Sequence, residues 1–147
     1  MPSRHEIEIP SPAAVNALVA EVYPSISTQG FRCEEMGPST SVVRWPLDRA
    51  ELRPGGLISG PTQFAVADLA LWFLAFTVMG LEPMAVTSNV TIDFLRPAAG
   101  GDLLGRGTLL RSGRTRMTGR VELWVDGAPE RIVAHATGGY ALLSLKE

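Results

Sequence analysis

The sequence predicts an α+β domain in which a single antiparallel sheet curls around one long apolar helix. Three observations carry this. The stretch SGPTQFAVADLALWFLAFTVMG (Ser59 to Gly80) is apolar all round, and between Arg53 and Glu82 the only ionisable side chain is Asp68. A helix of that kind must be enclosed on most of its sides. The segments around it alternate apolar and polar residues with the period of strands, two before the helix and four after it.

Taken in order, Ser11-Pro12 opens a first helix, with a hydroxyl for the N-cap and proline in the first turn. Val15, Leu18, Val19 and Val22 make its apolar stripe, which stops before Pro24. FRCEEM and TSVVRWPL flank Gly37-Pro38 and read as two strands with a tight connection. DRAELRPGGLISGP shows no periodicity and reads as a loop feeding the long helix, where Pro61 suits the first turn and Ser59 the cap. In MAVTSNVTIDFL, Val86, Ser88, Val90, Ile92 and Phe94 share one face, and Thr87, Asn89, Thr91 and Asp93 the other. DLLGRGTLLRSG and RTRMTGRVELWV pair around Ser112-Gly113, and APERIVAHATGGYALLSL is the last strand after Asp126-Gly127. No repeat or linker interrupts the chain, so residues 1–147 form one domain. This arrangement is called the hotdog fold.

Composition excludes several function classes. At 46% hydrophobic and 19% charged residues, with net charge -2, the chain has no long-range pull toward nucleic acid or anionic membrane. No secretory h-region is visible, and a membrane span is disfavoured by Asp68 and by the lack of flanking Lys/Arg clusters. One cysteine, Cys33, excludes an internal disulfide, suits a reducing cytoplasm and reads as core filler. His5 and His135 are not spaced with Cys33 or with acids as a metal set, so no metal or other cofactor is expected. Trp72, Phe73 and Phe76 fill the core or line an aromatic-sized tunnel.

Asp68 is the residue these patterns leave unexplained. A bare carboxylate in apolar surroundings costs several kcal/mol, so it must be paired, hydrogen-bonded or protonated. Such an acid is either a satisfied structural group or a catalytic one.

Two stretches sharpen the choice. VTIDFLRPAAGGDLLGRG resembles the strand and turn of PaaI-like acyl-CoA thioesterases, in which an apolar strand runs into FLRPA, then Gly-Asp. RPGGLISGPTQFAVADLA resembles the segment that family writes N-P-x-G-x-x-H-G-G, followed by a helix with LAD. Pro54, Gly56 and Gly60 match, Arg53 stands for Asn, Ser59 for His and Pro61 for the second Gly, and Asp68 falls on the catalytic acid. VAHATGGYALL matches the closing strand.

The resemblance implies hydrolysis of an acyl-CoA or related thioester, with Asp68 as general base for water or as nucleophile. It implies that the Gly60 N–H donates to the carbonyl oxygen, aided by the helix dipole. It also implies that Thr87 is supplied from a partner subunit, and that the arginine-rich hairpin meets phosphates of coenzyme A, with Arg111 and Arg114 as contacts. Asp68 lies two helical turns from Gly60, so the two are expected to border one cleft. Ser59 is either a supporting polar group or an ordinary cap. Thr87 is either a site hydroxyl or an ordinary strand residue, and Arg53 either faces the cleft or is solvated. Arg106, Arg111, Arg114, Arg116 and Arg120 also fit a solvated hairpin face. An exposed sheet edge predicts a homodimer or dimer of dimers. Loss of the Asn/His pair keeps open a non-catalytic acyl or acyl-CoA binding module; a hydratase would need a histidine near the loop, and none is there.

Overall fold

A computed structural model describes residues 7–143. The chain forms α1 (Pro12–Val22), α2 (Pro24–Ser27), β1 (Arg32–Met36), β2 (Thr40–Trp45), β3 (Leu52–Arg53), β4 (Leu57–Ile58), α3 (Gly60–Met79), β5 (Val86–Phe94), β6 (Leu103–Ser112), β7 (Arg116–Val125) and β8 (Ala134–Ala141). Six strands make one antiparallel sheet in the order β1-β2-β6-β7-β8-β5, and β3-β4 is a separate hairpin. This is the hotdog arrangement, with α3 against the concave face. His5 and the Ser144-Leu145 end of the last predicted strand lie outside the described residues.

The starts of α1 and α3 follow their caps. Ser11 Oγ accepts from the Ala14 N–H and Ser59 Oγ from the Thr62 N–H, each followed within two residues by proline. Helix α3 ends at Gly80, whose φ of 76° suits a residue without Cβ. The helix is long and apolar enough to cross a bilayer, yet 78% of its apolar window is buried within the domain. Phe73, Phe76, Leu71 and Leu74 are among its fully buried side chains.

The sheet can wrap so closely because small residues floor the groove. A Cβ on Gly105 would stand 2.7 Å from Val66 Cγ1, and one on Gly119 would stand 2.8 Å from Leu74 Cδ1. Substitution there would push the helix off the sheet.

Four details depart from the sequence reading. The segment taken as loop carries a 3-10 turn at Leu47–Arg49 and the β3-β4 hairpin. Its turn uses Gly55 and Gly56 at φ of 88° and 78°, and two-residue strands are too short to show a period. Val22 is half exposed while Val15 and Val19 are buried, so the α1 stripe is narrower than predicted. The last strand starts at Ala134, after a turn that runs on from Asp126-Gly127. Most consequential is a β-bulge in β5: Thr87 opposes Tyr140 and Asn89 opposes Gly139, leaving Ser88 as the extra residue. The extra residue reverses the pleat, so Thr87 joins Val90 and Ile92 on the helix-facing side.

The two sheet edges differ. At β1 a bulge around Glu34 bends the edge, and Asn16 of α1 pairs with the Cys33 backbone through both Oδ1 (2.8 Å) and Nδ2 (3.1 Å). The β5 edge has no strand beside it among the described residues, and Val86 and Phe94 lie half exposed along it.

Candidate functional site

Asp68 is half buried on α3, and its environment is built by two strands. Thr87 and Tyr140 face each other across β5 and β8. Thr87 Oγ1 donates to Asp68 Oδ1 at 2.8 Å, and Tyr140 Oη donates to the same oxygen at 2.6 Å. Tyr140 Oη also lies 3.1 Å from the Asp68 carbonyl oxygen. Burial, and then the carboxylate beside it, hold the Tyr140 phenol well above the usual tyrosine range, so it stays a donor. Asp68 Oδ2 has no hydrogen-bond partner among the described residues. The carboxylate is therefore fixed through one oxygen and open at the other.

Asp68 lines a cavity of about 530 Å³ whose walls also include Tyr23, Leu69 and Trp72. Trp72 is one helical turn beyond Asp68 and so shares its side of α3. Phe73 and Phe76 lie behind it in the aromatic core, so of the three only Trp72 lines the cavity.

A second cavity, of about 630 Å³, lies at the start of α3, lined by Arg53, Gly60, Gln63, Phe94 and Arg96 among others. Among the described residues nothing accepts from the Gly60 N–H. A Cβ on Gly60 would meet the Phe94 ring at 3.5 Å. The Ile58 N–H donates to the Ala98 carbonyl at 2.8 Å and so ties the β3-β4 hairpin to the FLRPA segment that forms the other wall. The described residues contain two buried side-chain polar atoms without a partner, Trp72 Nε1 and Gln63 Oε1, one in the lining of each cavity.

Two expectations are corrected: Gly60 and Asp68 do not share one cleft within a single chain, and Thr87, expected from a partner subunit, reaches Asp68 of its own chain at 2.8 Å. Eight residues of helix separate Gly60 from Asp68 by about 12 Å and about 80° of rotation, and they line different cavities. Arg53 lies in the Gly60 cavity and not beside Asp68. Ser59 is 2% exposed, with its hydroxyl bonded to the Thr62 N–H and Oγ1, so its side chain serves as the cap.

Other candidates fall elsewhere. Arg111 and Arg114 are exposed at the β6-β7 hairpin and line neither cavity. Arg106 lies over the Trp124 ring at 5.1 Å on the outer face. His135 is a half-buried strand residue opposite Asp93 and Glu122. Cys33 is buried, and burial pushes its thiol up to about 12. Among the described residues no three His, Cys, Asp or Glu side chains cluster as a metal site. The sequence reading missed Tyr140. Its one signal was a large aromatic with a polar tip directly after Gly138-Gly139, in a strand that packs on α3.

The comparisons agree with this fold. The family model described as Thioesterase superfamily matches residues 55–131. Among solved structures, a candidate thioesterase from a Silicibacter species is 35% identical, with 92% of this chain and 94% of that one covered at a TM-score of 0.81. A point variant of the phenylacetic acid degradation protein PaaI from Thermus thermophilus is 27% identical, over 82% and 99% of the two chains at a TM-score of 0.68. A thioesterase from Haemophilus influenzae, at 17% identity, shares the fold over 96% of each chain with a TM-score of 0.82. Among curated proteins none matches the chain. The family match takes in the β4 to β7 frame, Gly60 and Asp68, and with the Silicibacter likeness over nearly the whole length it makes this chain a member of the thioesterase superfamily.

Proposed function

We propose that the protein hydrolyses an acyl-CoA thioester to a carboxylic acid and coenzyme A, at a site completed by a second copy of the chain. The observation that carries this is the Asp68 carboxylate, held at Oδ1 by two hydroxyls and unpartnered at Oδ2 beside an apolar cavity. That arrangement suits a general base. Oδ2 takes a proton from water, and the water oxygen bonds to the thioester carbonyl carbon. The C–S bond then breaks, and the departing sulfur takes up the proton. Negative charge developing on the carbonyl oxygen needs a donor, and Gly60 of the partner subunit offers an unpaired N–H at a helix start.

Two features support the dimer. Gly60 and Asp68 line different cavities within one chain, and the β5 edge has no strand beside it among the described residues and exposes Val86 and Phe94, whereas the β1 edge is blunted. Pairing along β5 gives a homodimer, which can pair again as a dimer of dimers. Arg111 and Arg114 on the exposed hairpin are the proposed contacts for coenzyme A phosphates. Arg53, together with Arg96, puts positive charge beside the Gly60 cavity, which favours acyl groups that carry an anionic or strongly polar end. A single unpaired cysteine fits work in the cytoplasm.

The test is release of free thiol from a panel of short, medium, aryl and carboxylated acyl-CoAs, with sedimentation at micromolar protein alongside. Turnover by a dimer or tetramer is expected; a stable, active monomer rejects the shared site. One specific observation favours a second reading. Arg53 replaces an amide, and Ser59, in place of a histidine, is used up as a cap. A module that binds acyl-CoA tightly without turning it over would have this loop.

A further inference from the structure

We propose that Tyr140 is a positioning residue for Asp68, which fixes the carboxylate so that only Oδ2 faces the cavity. This inference rests on the reading of Asp68 as the base. Its geometric basis is independent of sequence resemblance. Tyr140 is 4% exposed, its phenol donates at 2.6 Å, and the same oxygen lies 3.1 Å from the carbonyl of the residue it orients. Contact with both ends of one residue fixes the side chain relative to its own backbone. Thr87, opposite Tyr140 across the strand pair, takes up the remaining acceptor capacity of Oδ1. With Oδ1 saturated, proton transfer from water runs to Oδ2.

The supporting frame is specific as well. A Cβ on Gly138 would stand 2.9 Å from Leu71 Cδ1 and 2.5 Å from the Asn89 carbonyl oxygen, so glycine lets β8 close on both α3 and β5. The Ser88 bulge brings Thr87 inward beside it. A bulge that re-aims a side chain next to a site is a recurrent device. Among the described residues the groups facing Asp68 are Tyr140 from β8, Thr87 from β5 and Tyr23 from the α1-α2 junction, and none lining the cavity is a cation. The two hydroxyls are thus the hydrogen-bond donors that the described residues give the carboxylate.

The test is Tyr140→Phe, which keeps the ring in the core. Three readouts are compared with wild type and with Asp68→Asn: kcat and KM on the best acyl-CoA of the panel, the pH profile of kcat/KM, and the Asp68 carboxyl carbon shift titrated by NMR. The expected result is a fall in kcat of about 10-fold with KM within about 2-fold, since one charge-assisted hydrogen bond is lost. The acid limb of the profile and the NMR midpoint should both move to higher pH. Unchanged kcat and an unmoved NMR midpoint in Tyr140→Phe would overturn the inference, even where Asp68→Asn is inactive. A lower kcat that merely follows a lower melting temperature, with the midpoint unmoved, also overturns it. If Asp68→Asn matches wild type, the base assignment fails instead, and the NMR midpoint still decides whether Tyr140 holds the carboxylate.

Discussion

Asp68 and Asp102 are both carboxylates held by hydrogen bonds, and they differ in what is left over. Asp102 Oδ1 accepts the Leu47 N–H at 2.8 Å and its Oδ2 pairs with Arg44 at 3.0 Å. Arg44 also binds Asp126 at 2.9 Å and Glu34 at 3.1 Å, so it ties the ends of β1, β2, β6 and β7 together. Both oxygens of Asp102 are committed. Asp68 has one committed oxygen and one without a partner among the described residues, and it lines a cavity with largely apolar walls. A fully satisfied carboxylate stabilises the fold, and a half-satisfied one beside a cavity has chemistry to offer.

The largest effect that sharpens this contrast is expected at the Arg44 cluster. Arg44→Met leaves three carboxylates without their shared cation and should cost about 2–3 kcal/mol in chemical denaturation. That corresponds to a melting temperature lower by roughly 4–10 °C, while turnover per folded molecule stays within about 2-fold. The acid limb of stability should change too. The Leu47 N–H and then the Arg44 guanidinium hold the Asp102 carboxyl below the usual range, against the opposing effect of burial. Its folded value lies below the unfolded one, so its contribution is present above about pH 4 and is lost as the pH falls through the folded value. Urea midpoints of wild type and Asp102→Asn should therefore converge below about pH 4. Parallel curves would show that Asp102 carries no such linkage.

A smaller effect is expected from Thr87→Val, which keeps the β-branched shape and removes a donor to Oδ1. Turnover should fall by about 5- to 10-fold, and the melting temperature should hardly move, because Thr87 sits on the exposed edge strand. Loss of stability in place of activity would make Thr87 an ordinary strand residue. The smallest effect belongs to Ser59→Ala, which removes the α3 cap. It should cost about 1 kcal/mol in stability with little change in kcat, and a large kcat effect would return Ser59 to the site.

Much of the fold was legible, because its signals are local. Ser11-Pro12 and Ser59 with Pro61 mark helix starts within three residues, and the apolar run to Gly80 defines α3 without outside information. The site was legible in part. Asp68 stood out as one charge in an apolar helix, and Gly60 was proposed from the resemblance of RPGGLISGP to the thioesterase motif. Thr87 was picked out but assigned to the wrong face, since the Ser88 bulge interrupts an alternation that looks unbroken in sequence. Tyr140 was missed because its partner lies 72 residues away, and no local pattern records such a contact. The separation of Gly60 from Asp68 along α3 follows from counting turns, but which cavity each lines depends on the strands packed around the helix.

The most direct test of the contrast is thiol release from acyl-CoA by Asp68→Asn and Asp102→Asn, each normalised to folded protein. Asp68→Asn keeps size and most hydrogen bonds but removes the base. It should lose about 100-fold or more in rate, with stability within about 1 kcal/mol of wild type. Asp102→Asn should show the reverse, with stability lost and rate kept. Equal rates for Asp68→Asn and wild type would contradict the account and leave Asp68 as a hydrogen-bonded structural acid.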